Sequence, residues 1–290
     1  VTDFNGTHGN KSREAKTLDC RRKRLWPGLG MGYLRSMTRF LNTGWRAALA
    51  SLLLALAWPA PAQTGRTVEN TLAERTRACT ACHGDQGRAG PDGYYPRLAG
   101  KPAGYLHHQL RNFAEGRRHY GLMTRLVDPL SDAYMAEIAA HFASLHLPYP
   151  PPTPSTQPPE RLARGKTLVL QGDAARGLPA CVQCHGERLT GVQPNVPGLL
   201  GLPLDYLNAQ LGAWQTGQRK AHAPDCMAEV IRRIPQDDII AVSSWLASQP
   251  LPADTRAAAL TPRPALDAAF RCGSAPELSA LERNAVGSRP

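Results

Sequence analysis

The feature that most narrows what this chain can fold into is a short string that occurs twice, Cys79-Thr-Ala-Cys82-His83 and Cys181-Val-Gln-Cys184-His185. The surrounding sequence repeats with it. Downstream of the first cluster runs "YYPRLAGKPAGYLHHQLRNFAEGRR" and downstream of the second "NVPGLLGLPLDYLNAQLGAWQTGQR". At one constant offset Pro96 falls on Pro197, Leu98 on Leu199, Gly100 on Gly201, Tyr105 on Tyr206, Gln109 on Gln210, Phe113 on Trp214 and Gly116 on Gly217. Self-similarity on this scale means two copies of one structural unit. Between them lies "LPYPPPTPSTQPPE", residues 147–160, whose prolines remove backbone donors and favour a stiff spacer.

Within each copy the apolar period is helical. Leu106, Leu110 and Phe113 recur at i, i+4 and i+7, as do Leu207, Leu211 and Trp214, and each segment ends at a glycine suited to close a helix. Ser131 is placed to cap a third segment through Met135, Ile138 and Phe142, and Ile239, Val242 and Leu246 repeat that spacing. No alternating strand pattern is evident, so the fold class is all-α. Each unit has a helix before or into the cysteine cluster, a middle helix and a C-terminal helix. Units of about 80 to 100 residues are small for a self-sufficient core, so something besides side chains has to fill them.

The net charge of +11 invites a nucleic-acid partner, because a basic surface attracts phosphate. The charge is concentrated upstream, however. Residues 1–62 hold ten of the 34 Lys and Arg but only three of the 23 Asp and Glu, which leaves the remainder near balance at +4 and removes that argument. Residues 37–62, "MTRFLNTGWRAALASLLLALAWPAPA", combine a basic start, an apolar run ending at Trp58 and the small-residue site Ala60-Pro61-Ala62, which is the pattern of a cleaved secretory signal. Residues 1–36 precede a plausible initiator Met37 and are read as an artefactual upstream extension, Cys20 included. The expected organisation is then an N-terminal domain 63–147, a linker 148–159, a C-terminal domain 160–250 and a tail 251–290, in the oxidising periplasm.

A Cys-x-x-Cys-His string suits a redox dithiol, half of a zinc site, or covalent attachment of a c-type haem. Zinc wants four ligands, and each unit offers one pair. A dithiol oxidoreductase wants a βαβ setting, which the pattern lacks. Haem attachment accounts for the histidine as well as the cysteines, with Cys79, Cys82, Cys181 and Cys184 as thioether donors and His83 and His185 as proximal ligands. It also supplies the missing core. For the opposite axial position Met123 and Met227 are the equivalent candidates, each seven residues before an apolar residue, Leu130 or Ile234. Met135 aligns with Ile239 and reads as core; the rivals His119 and His222 read as solvent-facing loop residues, and His107, His108, His141 and His146 as surface or core histidines.

These residues together resemble the dihaem cytochrome c4 family, over about residues 69–250, with "YPRLAGKPAGYL" in the first copy and "GLPACVQCHG" entering the second cluster as the most specific stretches. The resemblance implies two tandem class I cytochrome c domains with two covalently bound haem c groups. His83 and Met123 would serve one iron, His185 and Met227 the other, with Pro96 and Pro197 beside the axial histidines. It implies electron transfer between a quinol-oxidising complex and a terminal oxidase or other reductase, with no catalytic residues. Two protein ligands on each iron leave no open position, and Met ligation raises the potential. The alternatives are the cytochrome subunit of a periplasmic dehydrogenase and, needing an exchangeable ligand, a dihaem peroxidase. Peripheral docking on a membrane stays open.

Two cysteines stand apart from the family pattern. Cys226 directly precedes Met227, and Cys272 lies in the tail. In an oxidising compartment leftover cysteines pair, so a Cys226–Cys272 disulfide is expected, tying the tail beside the second haem; thiolate ligation by Cys226 is the rival. Arg117, Arg118, Arg219 and Lys220 follow the middle helices of both copies and read either as steering charges for an acidic partner or as a solvated face.

Overall fold

Helix boundaries in both copies follow from local capping signals. The computed structural model describes residues 70–90, 93–261 and 267–278. The upstream extension 1–36, the signal segment 37–62, Cys20 and the end of the tail lie outside the described residues. Among the described residues no helix is long and apolar enough to cross a membrane.

In the first half, α1 (Leu72–Arg75) starts where the Thr71 hydroxyl accepts the Glu74 N–H at 3.2 Å. The first cysteine cluster occupies α2 (Arg77–His83). The middle helix α3 (Ala103–Ala114) follows Pro102, and a short α4 (Gly121–Val127) follows it. α5 (Asp132–Ser144) starts at Ser131, whose hydroxyl accepts the Tyr134 N–H at 3.2 Å and so satisfies one donor of the first turn. α3 packs on α5 through Leu106, Ile138, Ala139 and Phe142, and a second apolar cluster joins Phe113, Val127 and Met135. Met135 is therefore a core side chain, 5% exposed.

The second half repeats the plan with α6 (Pro159–Gln171), α7 (Val182–His185), α8 (Leu204–Gln215), α9 (Cys226–Arg232) and α10 (Gln236–Ser248). A two-residue antiparallel pair, β1 (Gly191–Val192) with β2 (Val196–Pro197), is the small strand element that the helical reading missed; four residues are too few to show a period. Its core runs from Leu168 and Val169 on α6 to Ile239, Val242 and Leu246 on α10. α6 and α10 approach closely at Gly165, where an added Cβ would lie 2.1 Å from the Ala241 carbonyl oxygen. Both middle helices stop at the glycines the pattern indicates. Gly116 and Gly217 have φ of 71° and 73° with nothing within 4 Å of a built Cβ, so the left-handed dihedral, not space, selects glycine there.

All described residues belong to one unit, Val68–Pro290, and the two halves meet through the segments that follow the middle helices. The His119 N–H donates to the Gln218 carbonyl at 3.0 Å and the Lys220 N–H to the Arg117 carbonyl at 2.7 Å. On α3 the Gly104 N–H donates to the Pro194 carbonyl at 3.1 Å. The proline-rich connection is fastened at its start: Arg97, 4% exposed, donates to the carbonyls of Ala99, Leu147 and Pro148, and its guanidinium stacks 3.9 Å from the Tyr149 ring centroid. Beyond α10 the tail turns back along the hairpin. The Gln193 N–H donates to the Ala258 carbonyl and the Ala258 N–H to the Gly191 carbonyl, each at 2.9 Å.

Candidate functional site

Each cysteine cluster is helical, and each helix stops at its histidine because Gly84 or Gly186 follows with positive φ, 74° and 84°. The two histidines are buried, at 6% and 8% exposure. His83 Nδ1 lies 2.8 Å from the Pro96 carbonyl oxygen, and His185 Nδ1 lies 2.8 Å from that of Pro197. Proline marks this position in both copies, and its carbonyl orients the ring. With Nδ1–H donating to a carbonyl, the lone pair resides on Nε2, the arrangement of a metal-ligating imidazole held by a supporting acceptor. Burial pushes the His83 pKa below its ordinary value; the Pro96 carbonyl opposes this and Arg118 assists it, and the net effect favours the neutral ring.

Both histidines line a cavity of about 730 Å³ that extends through both halves. Its walls are mostly apolar, with Leu106, Leu110, Phe113 and Phe142 in the first half and Leu199, Leu207, Leu211 and Trp214 in the second. Met123 and Met227 line the same cavity, each half-buried. Met123 does not lie in an irregular stretch, as its surroundings "GRRHYGLM" suggest: it sits in the first turn of α4, as Met227 does in α9. Glycine at the start of α4 hides the helix from a propensity argument, and packing of Val127 against Phe113 and Met135 supplies what propensity lacks.

Burial pushes the Cys79 thiol up and drives that of Cys181 up to about 12, with Cys184 contributing to the latter. Among the described residues no three His, Cys, Asp or Glu side chains converge as a metal site. Cys82 is exposed and Cys184 half-buried. Cys226 and Cys272 form a disulfide, which removes Cys226 as a thiolate donor.

Between the halves the cavity floor holds cations that the sequence reading assigned to a solvated or steering face. That reading fails for Arg219, which is 6% exposed, and for the half-buried Arg118. Arg118 donates to Gln109 at 3.0 Å and, across the interface, to Gln210 at 2.6 Å and the Tyr206 hydroxyl at 3.2 Å. Arg219 reciprocates, to Gln210 at 2.8 Å and to Gln109 at 3.1 Å. The two guanidiniums also stack on aromatic rings, Arg118 on Phe113 and Arg219 on Trp214, 4.6 and 3.9 Å from the centroids. Lys101, 5% exposed, donates to the Gly198 carbonyl at 3.4 Å, and burial pushes it down to about 8. No ion pair joins these three to a carboxylate among the described residues. Buried cations with neutral partners are costly, and an anionic group in the cavity would relieve that cost. A large apolar plate with acidic substituents, which is what a haem is, fits the walls and the floor together. The register of the repeat, which aligns Arg118 with Arg219 and Gln109 with Gln210, is the signal that could have found this network.

The rival histidines also move. His119 is exposed, as expected, whereas His222 is half-buried with Nε2 3.1 Å from an Arg117 guanidinium nitrogen and its ring 5.4 Å from that of His108. His119 lines the cavity beside Met123, whereas His222 does not line it.

No family model matches the chain. A thiosulfate dehydrogenase electron acceptor from Thiomonas intermedia (strain K12) is 38% identical over 209 residues, covering 71% of this chain and 92% of the relative. Reduced recombinant cytochrome c4 from Pseudomonas stutzeri superposes with a TM-score of 0.52 at 30% identity, over 61% of this chain and 95% of that one. The thiosulfate dehydrogenase of Marichromatium purpuratum superposes with a TM-score of 0.54 at 33% identity, over 60% of this chain but 36% of that larger chain.

Proposed function

We propose, for a chain that belongs to the dihaem cytochrome c4 family, a role as the periplasmic electron acceptor of a dehydrogenase that oxidises a small sulfur oxyanion such as thiosulfate. The chain is a dihaem c-type cytochrome that transfers electrons and is not itself an enzyme. The finer reading draws on the Thiomonas relative, 92% of whose length this chain matches. Carriage between a quinol-oxidising complex and a terminal oxidase is the second reading, favoured by the likeness to cytochrome c4.

In this proposal Cys79 and Cys82 would tether the first haem and Cys181 and Cys184 the second, with His83 and Met123 holding one iron and His185 and Met227 the other. The observation that carries it is the twofold occurrence of a buried histidine whose Nδ1 is held by a proline carbonyl, in one apolar cavity shared with a methionine. When bound, each haem supplies a one-electron couple. The chain's own part is to hold the imidazoles in the neutral Nδ1–H tautomer, to exclude water with leucine and aromatic walls, and to offer the Met123 and Met227 side chains that would hold the irons opposite the histidines. Arg118, Arg219 and Lys101 present positive charge where the two halves meet, which favours the carboxylate edges of both haems at that place. The secretory-signal pattern of residues 37–62 and the cysteine pairing support a periplasmic location.

A spectroscopic redox titration tests the reading. Expected are two haems per chain, two one-electron steps, no carbon monoxide binding to the native reduced protein, and reduction by a thiosulfate dehydrogenase on addition of thiosulfate. Carbon monoxide binding would point to an open iron and a peroxidase. A colourless or zinc-bound product would end the haem reading.

A further inference from the structure

We propose that the C-terminal segment 267–278 is a strap that covers the outer face of the second redox centre, so that external redox partners exchange electrons with this chain through its first half. The inference rests on the dihaem carrier reading above and adds a direction to it.

The argument is a comparison of corresponding positions. Around the first half of the cavity they are open: Cys82, which precedes His83, is exposed; Tyr94, two residues before Pro96, is 58% exposed; Leu122, which precedes Met123, is 61% exposed. Around the second half the same places carry the strap. Cys184, which precedes His185, is half-buried and packs against the cluster that contains Cys272, Ala275 and Leu278. Asn195, two residues before Pro197, donates to both carboxylate oxygens of Glu277 at 3.1 and 3.0 Å. Cys226, which precedes Met227, is bonded to Cys272. Cys272, Ala275 and Leu278 are themselves 7%, 5% and 4% exposed, and all three line the cavity.

The strap is built into the fold. A short helical turn, Ala268–Phe270, packs on α9, with Phe270 5% exposed beneath the Arg233 guanidinium, 4.7 Å from the ring centroid. The Gly273 N–H donates to the Pro224 carbonyl at 2.8 Å, and the His222 N–H donates to the Ser274 hydroxyl at 3.2 Å. The approach at Gly273 is so close that a Cβ would lie 2.2 Å from the Ala223 carbonyl oxygen. Backbone contact, side-chain bonds and a covalent link thus fix one segment over the start of the methionine-bearing helix α9 and the hairpin at once. Such a segment separates a partner's redox group from the second centre by its own thickness. The second centre then fills from the first, one electron at each step, from donor to first centre to second, with no bond made and no proton released.

The test uses the full holo chain, Cys272→Ser, and a chain ending at Thr261, with reduced flavodoxin as donor at concentrations that outrun transfer within the chain. In the wild type one haem equivalent is expected to reduce in proportion to flavodoxin concentration and the other independently of it. In both variants the second equivalent becomes concentration-dependent. Amide exchange across 191–197 and 222–229 is expected to rise by at least about tenfold in both variants. The proposal is overturned if both wild-type equivalents track flavodoxin concentration, or if both variants keep wild-type kinetics and exchange. A product with fewer than two haems, or one that binds carbon monoxide, refutes the carrier reading instead, and the exchange measurement still decides whether the strap covers these segments.

Discussion

Replacing Gly165 by alanine sets two effects of opposite sign against each other. Gly165 lies inside α6, so helix propensity alone favours the alanine variant by about 1 kcal/mol. The structure argues the reverse. A built Cβ meets Ala241 O at 2.1 Å, Ala241 C at 2.6 Å and Trp245 Cβ at 3.0 Å. The first two atoms belong to the α10 backbone and cannot rotate aside, so the helices have to move apart, loosening Leu168 and Val169 against Ile239, Val242 and Leu246. Overpacking of this kind costs about 3 kcal/mol at the upper end of its usual range, which leaves a net loss of about 2 kcal/mol after the propensity gain. For a fold of this size that lowers Tm by roughly 4–8 °C. Gly212, inside α8, provides the control, because nothing lies within 4 Å of its built Cβ and only propensity applies. Thermal unfolding followed by far-ultraviolet circular dichroism on the oxidised protein should show Gly165→Ala destabilised and Gly212→Ala unchanged or stabilised. A Gly165→Ala protein at least as stable as the wild type would refute the close-approach argument.

Two further substitutions probe the polar fastenings. Asp238 accepts from Arg164 at 2.9 and 2.8 Å and from Arg176, and these bonds, Arg164 first, hold its carboxyl below the usual carboxylate range. A depressed folded pKa contributes stability above the unfolded value of about 3.9 that is lost as pH falls through the folded one, so Asp238→Asn should cost about 1.5–3 kcal/mol near neutrality and flatten the acid limb of a Tm-against-pH curve. Equal acid sensitivity in variant and wild type would count against the network. Arg97→Met removes three carbonyl partners and the Tyr149 stack, at a cost of about 1–3 kcal/mol. It should speed limited proteolysis within 147–160 while leaving two haems per chain, and unchanged cleavage would show that the linker is held by other means.

The chemistry of this protein is legible in its sequence because covalent haem attachment demands particular side chains at fixed short spacing. The string Cys79 to His83, its second copy, the prolines at 96 and 197 and the helical stripes are all local, and local patterns survive in one dimension. The pairing of Cys226 with Cys272 is also within reach, since only these two cysteines downstream of residue 62 remain once both clusters are assigned. What tertiary structure decided is which face each residue presents. Arg118 and Arg219 read as surface charge from sequence, yet one is half-buried and the other buried where the halves meet, because whether a guanidinium meets water or a second half depends on contacts about a hundred residues away. The strap over one centre and the open face of the other likewise arise only when the tail folds back on the hairpin. Periodicity and spacing report bonding along the chain; burial is a property of the packed whole, and it is burial that makes two halves of one plan unequal.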